Sequence, residues 1–456
     1  MESLENIDSA KPRKPLIFMF IPVLVAIAIG IVLMNFYERE RPQLSLLTDI
    51  TRVGVSKECE LVFTDGKSGL RSVEIRLVQG AKELEVYRNT YPRQGFLHNS
   101  GPEKIREIVK LNTVKGKFKD GEAQLMVSVR DYSWWDMMNG NETTMTYPLI
   151  LDTRPPLLNI IDSPRYIIPG GAGIVIYKVG EEVERHGVTI NGYFHPGFPL
   201  PQKGEGVYGA IIAVEYNAAR IEKATVDATD LAGNLAAKPF GMIMRKAAIK
   251  RDRINVSDGF LEGKLPEFDH YYPELVGKEP LEQYLEINNR IRNENGDKIR
   301  EICSKSRPEM LWEGRFQRMA RSSRRAGFAE YRTYYYNGQE VDQQVHLGID
   351  LASTQQAEVF ASNRGVIVFA DYLGIYGNMV IIDHGLGVFT LYSHLSQISG
   401  AVGDMVTTET VIGLSGNTGM AGGDHLHYSV LINGVFVNPL EWWDPQWLKL
   451  NILSFL

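Results

Sequence analysis

The sequence predicts a multidomain, mainly β protein with a single N-terminal transmembrane helix, two β-sandwich domains, a helical connector and a C-terminal β domain. Three observations support this prediction. Residues 16–34 form one uncharged apolar run, period-two patterns separated by turn clusters begin at residue 42, and helical spacing replaces them over residues 255–330. A length of 456 residues is enough for roughly two to four domains.

The composition is typical of a folded chain. Hydrophobic residues make up 44% and charged residues 23%, which argues against wholesale disorder. The net charge of -6 gives no reason to expect nucleic-acid binding. Cys59 and Cys303 are the only cysteines, so a thiolate zinc site and a disulfide framework are both excluded. Whether these two cysteines pair with each other is left open.

The apolar run near the N-terminus extends from Leu16 to Met34 and is broken only by Pro22 and Gly30. At about 1.5 Å per residue, a helix of this length nearly crosses a ~30 Å hydrocarbon core. A cleaved signal peptide would have a shorter apolar run and a small-residue cleavage site, which this segment lacks. Basic residues precede the run, so the positive-inside rule assigns residues 1–15 to the cytoplasm, residues 16–36 to the membrane and the rest to the outside.

Two β domains are expected after the anchor, over residues 42–155 and 156–254. Short alternating runs and glycine-rich turns fill the first, and consecutive prolines at Pro155 and Pro156 mark its end. The second contains an apolar strand pattern over residues 170–177 and an Asp-Leu-Ala-Gly-Asn turn that ends at Asn234. Both features resemble bacterial immunoglobulin-like domains, which usually act as spacers or binding modules.

A helical connector is predicted over residues 255–330. Leu281, Tyr284, Ile287 and Ile291 follow one another at helical spacing and form one apolar stripe. A second amphipathic helix is expected near residues 299–325. Its five arginines form a solvated face or, less favourably, a contact for anionic polymers or membrane. They are Arg315, Arg318, Arg321, Arg324 and Arg325.

Histidines concentrate in the last 111 residues, which hold five of the nine. His346 precedes Asp350 by four residues, His425 and His427 alternate on one face of a strand pattern, and His394 ends another strand pattern. A zinc hydrolase needs about three nitrogen or oxygen ligands, an open position and a nearby proton carrier. These four histidines and one aspartate can supply both the ligands and the proton carrier.

These motifs closely resemble the lysostaphin or LytM-type zinc metallopeptidases, whose pattern is His-x-x-x-Asp, a distant histidine and then His-x-His. The resemblance implies an antiparallel-β peptidase domain over residues 331–456. It also implies that His346, Asp350 and His427 hold one Zn²⁺ while His394 and His425 form the catalytic pair. Three positions depart from the family pattern without removing a ligand. They are Asp424 in place of proline, and Tyr428-Ser429 in place of Phe-Glu.

Other polar residues in this region are expected to be structural. His384 lies in an Asp-His-Gly turn, where a hydrogen-bonded core role is expected, and Asp383 is expected to cap that turn. Several tyrosines are candidates for an oxyanion donor or a groove-lining ring, and the sequence does not choose among them. They are Tyr334, Tyr335, Tyr336, Tyr376 and Tyr392.

The expected function is that of a membrane-anchored zinc metalloendopeptidase that hydrolyses peptide cross-links of peptidoglycan, with stem peptides or cross-bridges as its partners. A single pass through a bacterial inner membrane by residues 16–36 would leave the bulk of the chain in the periplasm. The alternatives are a non-cleaving LytM-like regulator of cell-wall amidases and an envelope scaffold. The sequence does not say which peptide bond is cut.

Overall fold

The computed structural model describes residues 17–95 and 100–456, so the predicted cytoplasmic tail over residues 1–15 lies outside the described part. The chain divides into two compact units. The first contains the residues up to Arg154 together with Leu231–Asn234, and the second contains Pro155–Asp230 and Leu235–Leu456. Cys59 lies in the first unit and Cys303 in the second, and both are buried free thiols.

The first unit contains a long N-terminal helix, two β-sheets and one short helix. One sheet has the strand order β1-β3-β6 and the other the order β2-β8-β7-β4-β5. Their inward side chains, such as Phe63 and Val127, share one core and are fully buried, as the period-two pattern predicts. The elements are α1 (Ile17–Phe36), β1 (Gln43–Leu46), β2 (Arg52–Val53), β3 (Ser56–Thr64), β4 (Leu70–Gln79), β5 (Lys82–Thr90), β6 (Lys104–Asn112), β7 (Gly121–Asp131), α2 (Trp135–Met138) and β8 (Glu142–Leu151).

Helix α1 falls within the predicted anchor over residues 16–36. Its side chains are described from residue 20 onward, except at residues 32 and 34–36. Within the described portion of the chain, no helix combines the length and the apolar character needed to cross a membrane. The anchor therefore stays a prediction.

The second unit begins with a pair of four-stranded sheets, in the orders β14-β15-β11-β9 and β13-β12-β16-β17. The apolar pattern over residues 170–177 is confirmed as a strand, since β11 occupies Ala172–Val179 and most of its side chains are buried. The strands are β9 (Leu158–Asp162), β10 (Tyr166–Ile167), β11 (Ala172–Val179), β12 (Val183–Ile190), β13 (Tyr193–Pro196), β14 (Phe198–Pro199), β15 (Val207–Ala213), β16 (Ala224–Asp230), β17 (Leu235–Pro239) and β18 (Ile243–Met244).

The connector starts with a strand, β19 (Lys250–Val256), and continues as helices. The predicted apolar stripe is confirmed, because Tyr284, Ile287 and Ile291 are buried in one core. Ser257 caps the first helix by accepting a hydrogen bond from the Phe260 amide. The helices are α3 (Asp258–Tyr271), α4 (Pro280–Glu286), a π-helical turn (Ile287–Ile291) and α5 (Arg292–Ile302).

The amphipathic helix predicted near residues 299–325 is wrong. Helix α5 ends at Ile302, and the chain then runs irregularly until β20 begins at Ser323. Pro308 cannot continue a helix. The segment instead buries Trp312 and Phe316 in the core of the C-terminal domain. This burial stabilises the irregular path more than the weakly periodic arginines would stabilise a helix.

The C-terminal domain is built on an eight-stranded antiparallel sheet, ordered β20-β23-β31-β27-β26-β25-β29 with β32 beside β31. The Asn337-Gly338 dipeptide, which suits a tight turn, joins β21 and β22 in a hairpin, and β19 pairs in parallel with β21. The elements are β20 (Ser323–Ala326), β21 (Glu330–Tyr336), β22 (Gln339–His346), β23 (Ile349–Ala352), β24 (Glu358–Phe360), β25 (Gly365–Tyr372), β26 (Asn378–Asp383), β27 (Val388–Leu395), β28 (Gln397–Ile398), β29 (Met405–Val406), β30 (Val411–Leu414), β31 (Leu426–Ile432), β32 (Val435–Val437), α6 (Pro439–Trp443) and α7 (Pro445–Leu448).

Glu441 in α6 is expected to make stability depend on pH. Its Oε2 accepts a hydrogen bond from the Ala172 amide at 3.2 Å, and burial raises its pKa from 4.5 to about 8. The native state therefore binds more protons than the unfolded state between these values, so stability is lost as pH rises through that window. We expect Glu441→Gln to raise the free energy of unfolding by about 2–4 kcal/mol at pH 8 and by less than about 1 kcal/mol at pH 5.

Denaturant unfolding of the full chain at both pH values measures this difference. Glu409→Gln is the matched control, because Glu409 is exposed on the same domain. An equal effect of Glu441→Gln at pH 5 and pH 8 would contradict the assignment.

Candidate metal centre

Three side chains that the sequence nominated as metal ligands converge at one point. The register of the sheet sets Asp350 on β23 directly opposite His427 on β31, and His346 is the last residue of β22. His346 Nε2 lies 2.8 Å from Asp350 Oδ1 and 2.9 Å from His427 Nδ1, and His427 Nδ1 lies 3.0 Å from the same carboxylate oxygen. All three residues are buried. The fold therefore brings together two imidazole nitrogens and one carboxylate oxygen.

Hydrogen bonds fix the tautomer of both imidazoles. His346 Nδ1 lies 2.8 Å from the Gly327 carbonyl, which can only accept, so this nitrogen carries the proton. Ser429 donates its hydroxyl proton to the Leu347 carbonyl and hence accepts from His427 Nε2 at 3.1 Å. The unprotonated nitrogens, His346 Nε2 and His427 Nδ1, are therefore the ones that face each other. This donor set fits zinc, which prefers imidazole and carboxylate ligands and is oriented by such outer contacts.

Gly348 explains why the His-x-x-x-Asp segment has a glycine at its centre. A Cβ at this position would lie 2.5 Å from His427 Cε1 and Nε2, and 2.7 Å from Ser429 Oγ. These distances are far below van der Waals contact, so only glycine lets the turn between β22 and β23 approach the imidazole. The glycine thus permits the convergence of the three side chains.

His394 and His425 lie beside the three convergent side chains. Their rings are 4.9 Å apart, and the His394 ring is 5.8 Å from the His427 ring. His394 Nδ1 donates to the Thr418 carbonyl and His425 Nδ1 to the Gly423 carbonyl, each at 2.8 Å. Each ring therefore leaves Nε2 as an acceptor. His394 also has a φ of +63°, a left-handed conformation that residues other than glycine seldom adopt and that often marks a functional site.

The electrostatics of the centre favour ionised Asp350 and neutral His394 and His427. Burial by itself would raise the pKa of Asp350, but the three histidines around it, led by His346, hold that pKa well below its usual range. Burial lowers the pKa of His427 to about 4 and holds the pKa of His394 well below its usual range. Burial also opposes protonation of His425, yet its interactions with Asp350 raise its pKa.

Arg332 is a part of the centre that sequence reasoning missed. Its Nη2 donates to Asp350 Oδ2 at 3.1 Å, so the carboxylate offers one oxygen to the histidines and the other to a guanidinium. Burial opposes the charge on Arg332, but Asp350 and its other anionic neighbours raise its pKa overall. No sequence motif marks Arg332, because its contact with Asp350 depends on the path of β21 through the fold.

The centre opens into a cavity of about 550 Å³. Three parts of the second unit form the walls of this cavity. The C-terminal domain contributes Arg332, Tyr334 and Tyr376 in addition to the histidines. The connector contributes Tyr284, Arg292 and Arg300, and the preceding β domain contributes Tyr193, Glu215 and Tyr216. The connector and that β domain therefore enclose the centre.

The structure also separates the candidate tyrosines and confirms the structural role of the Asp383 turn. Tyr334 and Tyr376 line the cavity, whereas the hydroxyl of Tyr392 is buried against Ser362. His384 is fully buried, with Nδ1 bonded to the Arg364 carbonyl. Asp383 caps its turn by accepting from the Gly385 amide.

Comparison with known proteins identifies the domain that holds this centre. Residues 344–439 match the model of peptidase family M23. The C-terminal domain belongs to peptidase family M23. This result confirms the predicted resemblance to lysostaphin-type peptidases, and the matched segment contains all five residues of the His/Asp/His centre and its neighbouring pair.

Relatives of the M23 domain include named cell-wall enzymes. The DD-carboxypeptidase/endopeptidase Mpg of Neisseria meningitidis serogroup B is 50% identical over 97 residues, which cover 21% of this chain and 22% of that protein. The peptidoglycan DD-endopeptidase ShyA of Vibrio cholerae is 41% identical over 96 residues, with the same two coverages. The catalytic domain of lysostaphin from Staphylococcus simulans is 27% identical, covering 28% of this chain and 96% of that one, with a TM-score of 0.25. The chain thus spans about a fifth of the length of Mpg and of ShyA.

The departures from the M23 pattern have local explanations. Asp424 accepts hydrogen bonds from Ser415 Oγ at 2.6 Å and from the Gln356 amide at 2.9 Å, so it braces the loop before His425. Ser429 stands where a glutamate is usual and orients His427 through its hydroxyl. Both substitutions therefore keep a polar contact near the centre of the M23 domain.

Ser429→Ala is expected to weaken zinc binding by the M23 domain by about 10–100-fold. Without the Ser429 hydroxyl, the His427 ring loses the hydrogen bond that fixes its tautomer and its orientation. Competition with a chromogenic chelator measures the affinity. Ser396→Ala serves as the control, since Ser396 Oγ bonds only backbone carbonyls of Leu414 and Ser415. Unchanged affinity in Ser429→Ala would show that the serine does not orient the imidazole.

Proposed function

We propose that this protein is a zinc metalloendopeptidase that hydrolyses peptide cross-links of peptidoglycan. The single observation that carries the proposal is the convergence of His346 Nε2, Asp350 Oδ1 and His427 Nδ1 beside two further imidazoles whose Nδ1 atoms donate to backbone carbonyls. The M23 relatives Mpg, named as a DD-carboxypeptidase/endopeptidase, and ShyA, named as a peptidoglycan DD-endopeptidase, support the choice of substrate. A stem-peptide cross-link carries an amide bond and nearby carboxylates, and the cavity offers guanidinium groups from Arg292, Arg300 and Arg332.

His346, Asp350 and His427 would hold the zinc ion in this proposal. When bound, zinc supplies a Lewis acid that polarises the scissile carbonyl and acidifies water. Arg332 keeps Asp350 ionised and oriented through its bond to Oδ2. Ser429 and the Gly327 carbonyl keep each imidazole in the tautomer that a ligand requires.

His394 and His425 act as the catalytic pair. Each donates Nδ1–H to a backbone carbonyl, so each presents an acceptor Nε2 to the cavity. One Nε2 takes a proton from the attacking water, and a protonated Nε2 stabilises the oxyanion and returns a proton to the leaving amine. Histidine suits these transfers near neutral pH, and the chain has no His-Glu-x-x-His helix to supply a glutamate base.

Digestion of purified sacculi by the full-length protein tests the proposal. We expect new muropeptides from cleaved cross-links, loss of cleavage after chelation and recovery after one equivalent of Zn²⁺. Soluble cross-linked muropeptides should be included, because the connector and the preceding β domain enclose the cavity and slow the entry of a polymer. If the zinc-loaded protein cuts neither substrate, the non-cleaving regulator or scaffold is the correct function.

We further infer that residues 16–36 anchor the protein in the cytoplasmic membrane with residues 1–15 inside and the rest in the periplasm. Where side chains of α1 are described, they are almost all apolar and exposed, including Phe20, Leu24 and Ile27. Domains over residues 42–155 and 156–254, the second of them immunoglobulin-like, would then form an arm between membrane and wall, followed by the connector and the peptidase domain. A reporter fused after Leu456 should be active only outside the cytoplasm, and cytoplasmic activity would overturn this topology.

A further inference from the structure

A cluster of three buried carboxyl groups lies in the first unit, just after α1. Glu38 and Asp65 are each 5% exposed and Asp131 is fully buried. One carboxylate oxygen from each residue lies within 4.8 Å of the other two. Oxygen ligands about 2.4 Å from a shared cation lie at most about 4.8 Å apart, so the three groups are close enough to share one ion.

Backbone amides hold these carboxylates in fixed positions. Glu38 Oε2 accepts from the Ser68 amide at 3.0 Å, Asp65 Oδ1 from the Gly69 amide at 2.7 Å, and Asp131 Oδ1 from the Asn141 amide at 2.7 Å. Glu38 Oε1 and Asp65 Oδ2 accept no hydrogen bond from the residues that the structure describes. The arrangement thus fixes one side of each of these two carboxylates and leaves the other oxygen available.

The charge of the cluster is not balanced by a salt bridge within the described residues. Lys67 is the nearest cation that affects it, but its ammonium group is exposed and bonds Glu40 at 3.0 Å. Burial, followed by the neighbouring Asp65, raises the pKa of Glu38 to about 7. Burying several carboxylates without a counter-charge is costly, so a bound cation would stabilise this arrangement.

Ser68 supplies a second and independent observation. Its side chain is only 3% exposed, and its Oγ makes no hydrogen bond within the described residues. The Ser68 amide donates to Glu38 Oε2 at 3.0 Å, so this residue lies beside the acidic cluster. A buried hydroxyl oxygen without a hydrogen-bond partner is unusual, and next to three carboxylates it is available as a further oxygen ligand.

We propose that Glu38, Asp65, Asp131 and the Ser68 hydroxyl bind one Ca²⁺ ion. The donors are all oxygen atoms, which Ca²⁺ prefers and which distinguish this site from the imidazole-rich centre of the M23 domain. Glu38 lies two residues after α1, whereas Asp65 and Asp131 belong to the β-sheet framework. The ion would therefore fasten the segment that leaves α1 to the first β domain.

Calcium titration of the full-length protein tests this site. The protein is kept in a mild detergent with one equivalent of Zn²⁺ and is otherwise freed of divalent cations. Calorimetry with CaCl₂ should show one Ca²⁺ per chain. Trypsin cleavage after Arg39, which directly follows Glu38 in the fastened segment, should slow at least tenfold when Ca²⁺ is added.

Glu38→Gln and Asp131→Asn should each weaken Ca²⁺ binding at least tenfold and abolish the protection from trypsin. Glu40→Gln is the matched control, since Glu40 is exposed and lies outside the cluster, and it should bind Ca²⁺ like the wild type. A circular-dichroism spectrum and a denaturant midpoint without Ca²⁺ that match those of the wild type show that Glu38→Gln is folded. Absence of binding and protection at millimolar Ca²⁺ in the wild type, or normal binding by both variants, would overturn the proposal.

Discussion

Substitution of His427 with alanine is expected to abolish cleavage of peptidoglycan, by at least about 10³-fold, and to remove zinc from the full-length protein. His427 Nδ1 is one of three donors that meet within 3.0 Å of one another, and the sheet register sets His427 directly opposite Asp350. Two donors would remain, and structural and catalytic zinc sites use at least three. Muropeptide chromatography and metal analysis by mass spectrometry measure the two losses.

His270→Ala is the matched control for His427→Ala. His270 is exposed on α3 beside the Tyr271 ring and lies outside the metal centre and its cavity, so activity and zinc content should not change. Circular dichroism should show that His427→Ala keeps its β structure. Cleavage that persists in His427→Ala with zinc still bound would contradict the assigned ligand set.

Removal of either imidazole of the proposed catalytic pair, His394 and His425, is expected to lower activity by about 10²–10⁴-fold while zinc stays bound. His394→Asn is the better variant for His394, because asparagine tolerates the φ of +63° at this position and alanine does not. His425→Gln is the corresponding variant for His425. Both keep the backbone in place and delete the group that carries the proton.

The pH profile of each variant distinguishes a catalytic from a merely structural role. A lost proton carrier should remove one limb of the profile as well as lowering the rate, whereas a structural defect should lower the rate at every pH. Zinc content should equal that of the wild type in both variants. Loss of zinc from His394→Asn would instead make His394 a ligand, and normal cleavage by either variant would refute the proposed mechanism.

The connector shows where periodicity misleads. The stripe formed by Tyr284, Ile287 and Ile291 predicted a buried helix face, because each side chain is large and apolar and its spacing repeats. The arginines beyond residue 302 repeat at a similar spacing, but Pro308 interrupts the segment and Trp312 and Phe316 gain more from the core than a solvated helix would give. The regular spacing of charged residues is therefore weaker evidence for the local structure than the burial of aromatic side chains.

The site residues were predictable because, in a β-strand, the spacing of residues in the sequence determines which side chains share a face. His425 and His427 share one face since strand side chains alternate, and the glycine between His346 and Asp350 marks a close approach that only glycine permits. The choice among the tyrosines was not predictable, because it depends on which strand ends at the cavity.

By itself the sequence determined the mainly β architecture, the histidines and aspartate of the centre and the kinship of the C-terminal domain, since all of these rest on local spacing. Only the tertiary structure decided that Arg332 faces Asp350, that Ser429 orients His427, and that the connector walls the cavity. The tertiary structure also decided that Glu38 lies beside Asp65 and Asp131. These contacts join residues that are distant in the chain or carry no motif, so they depend on how strands and loops pack.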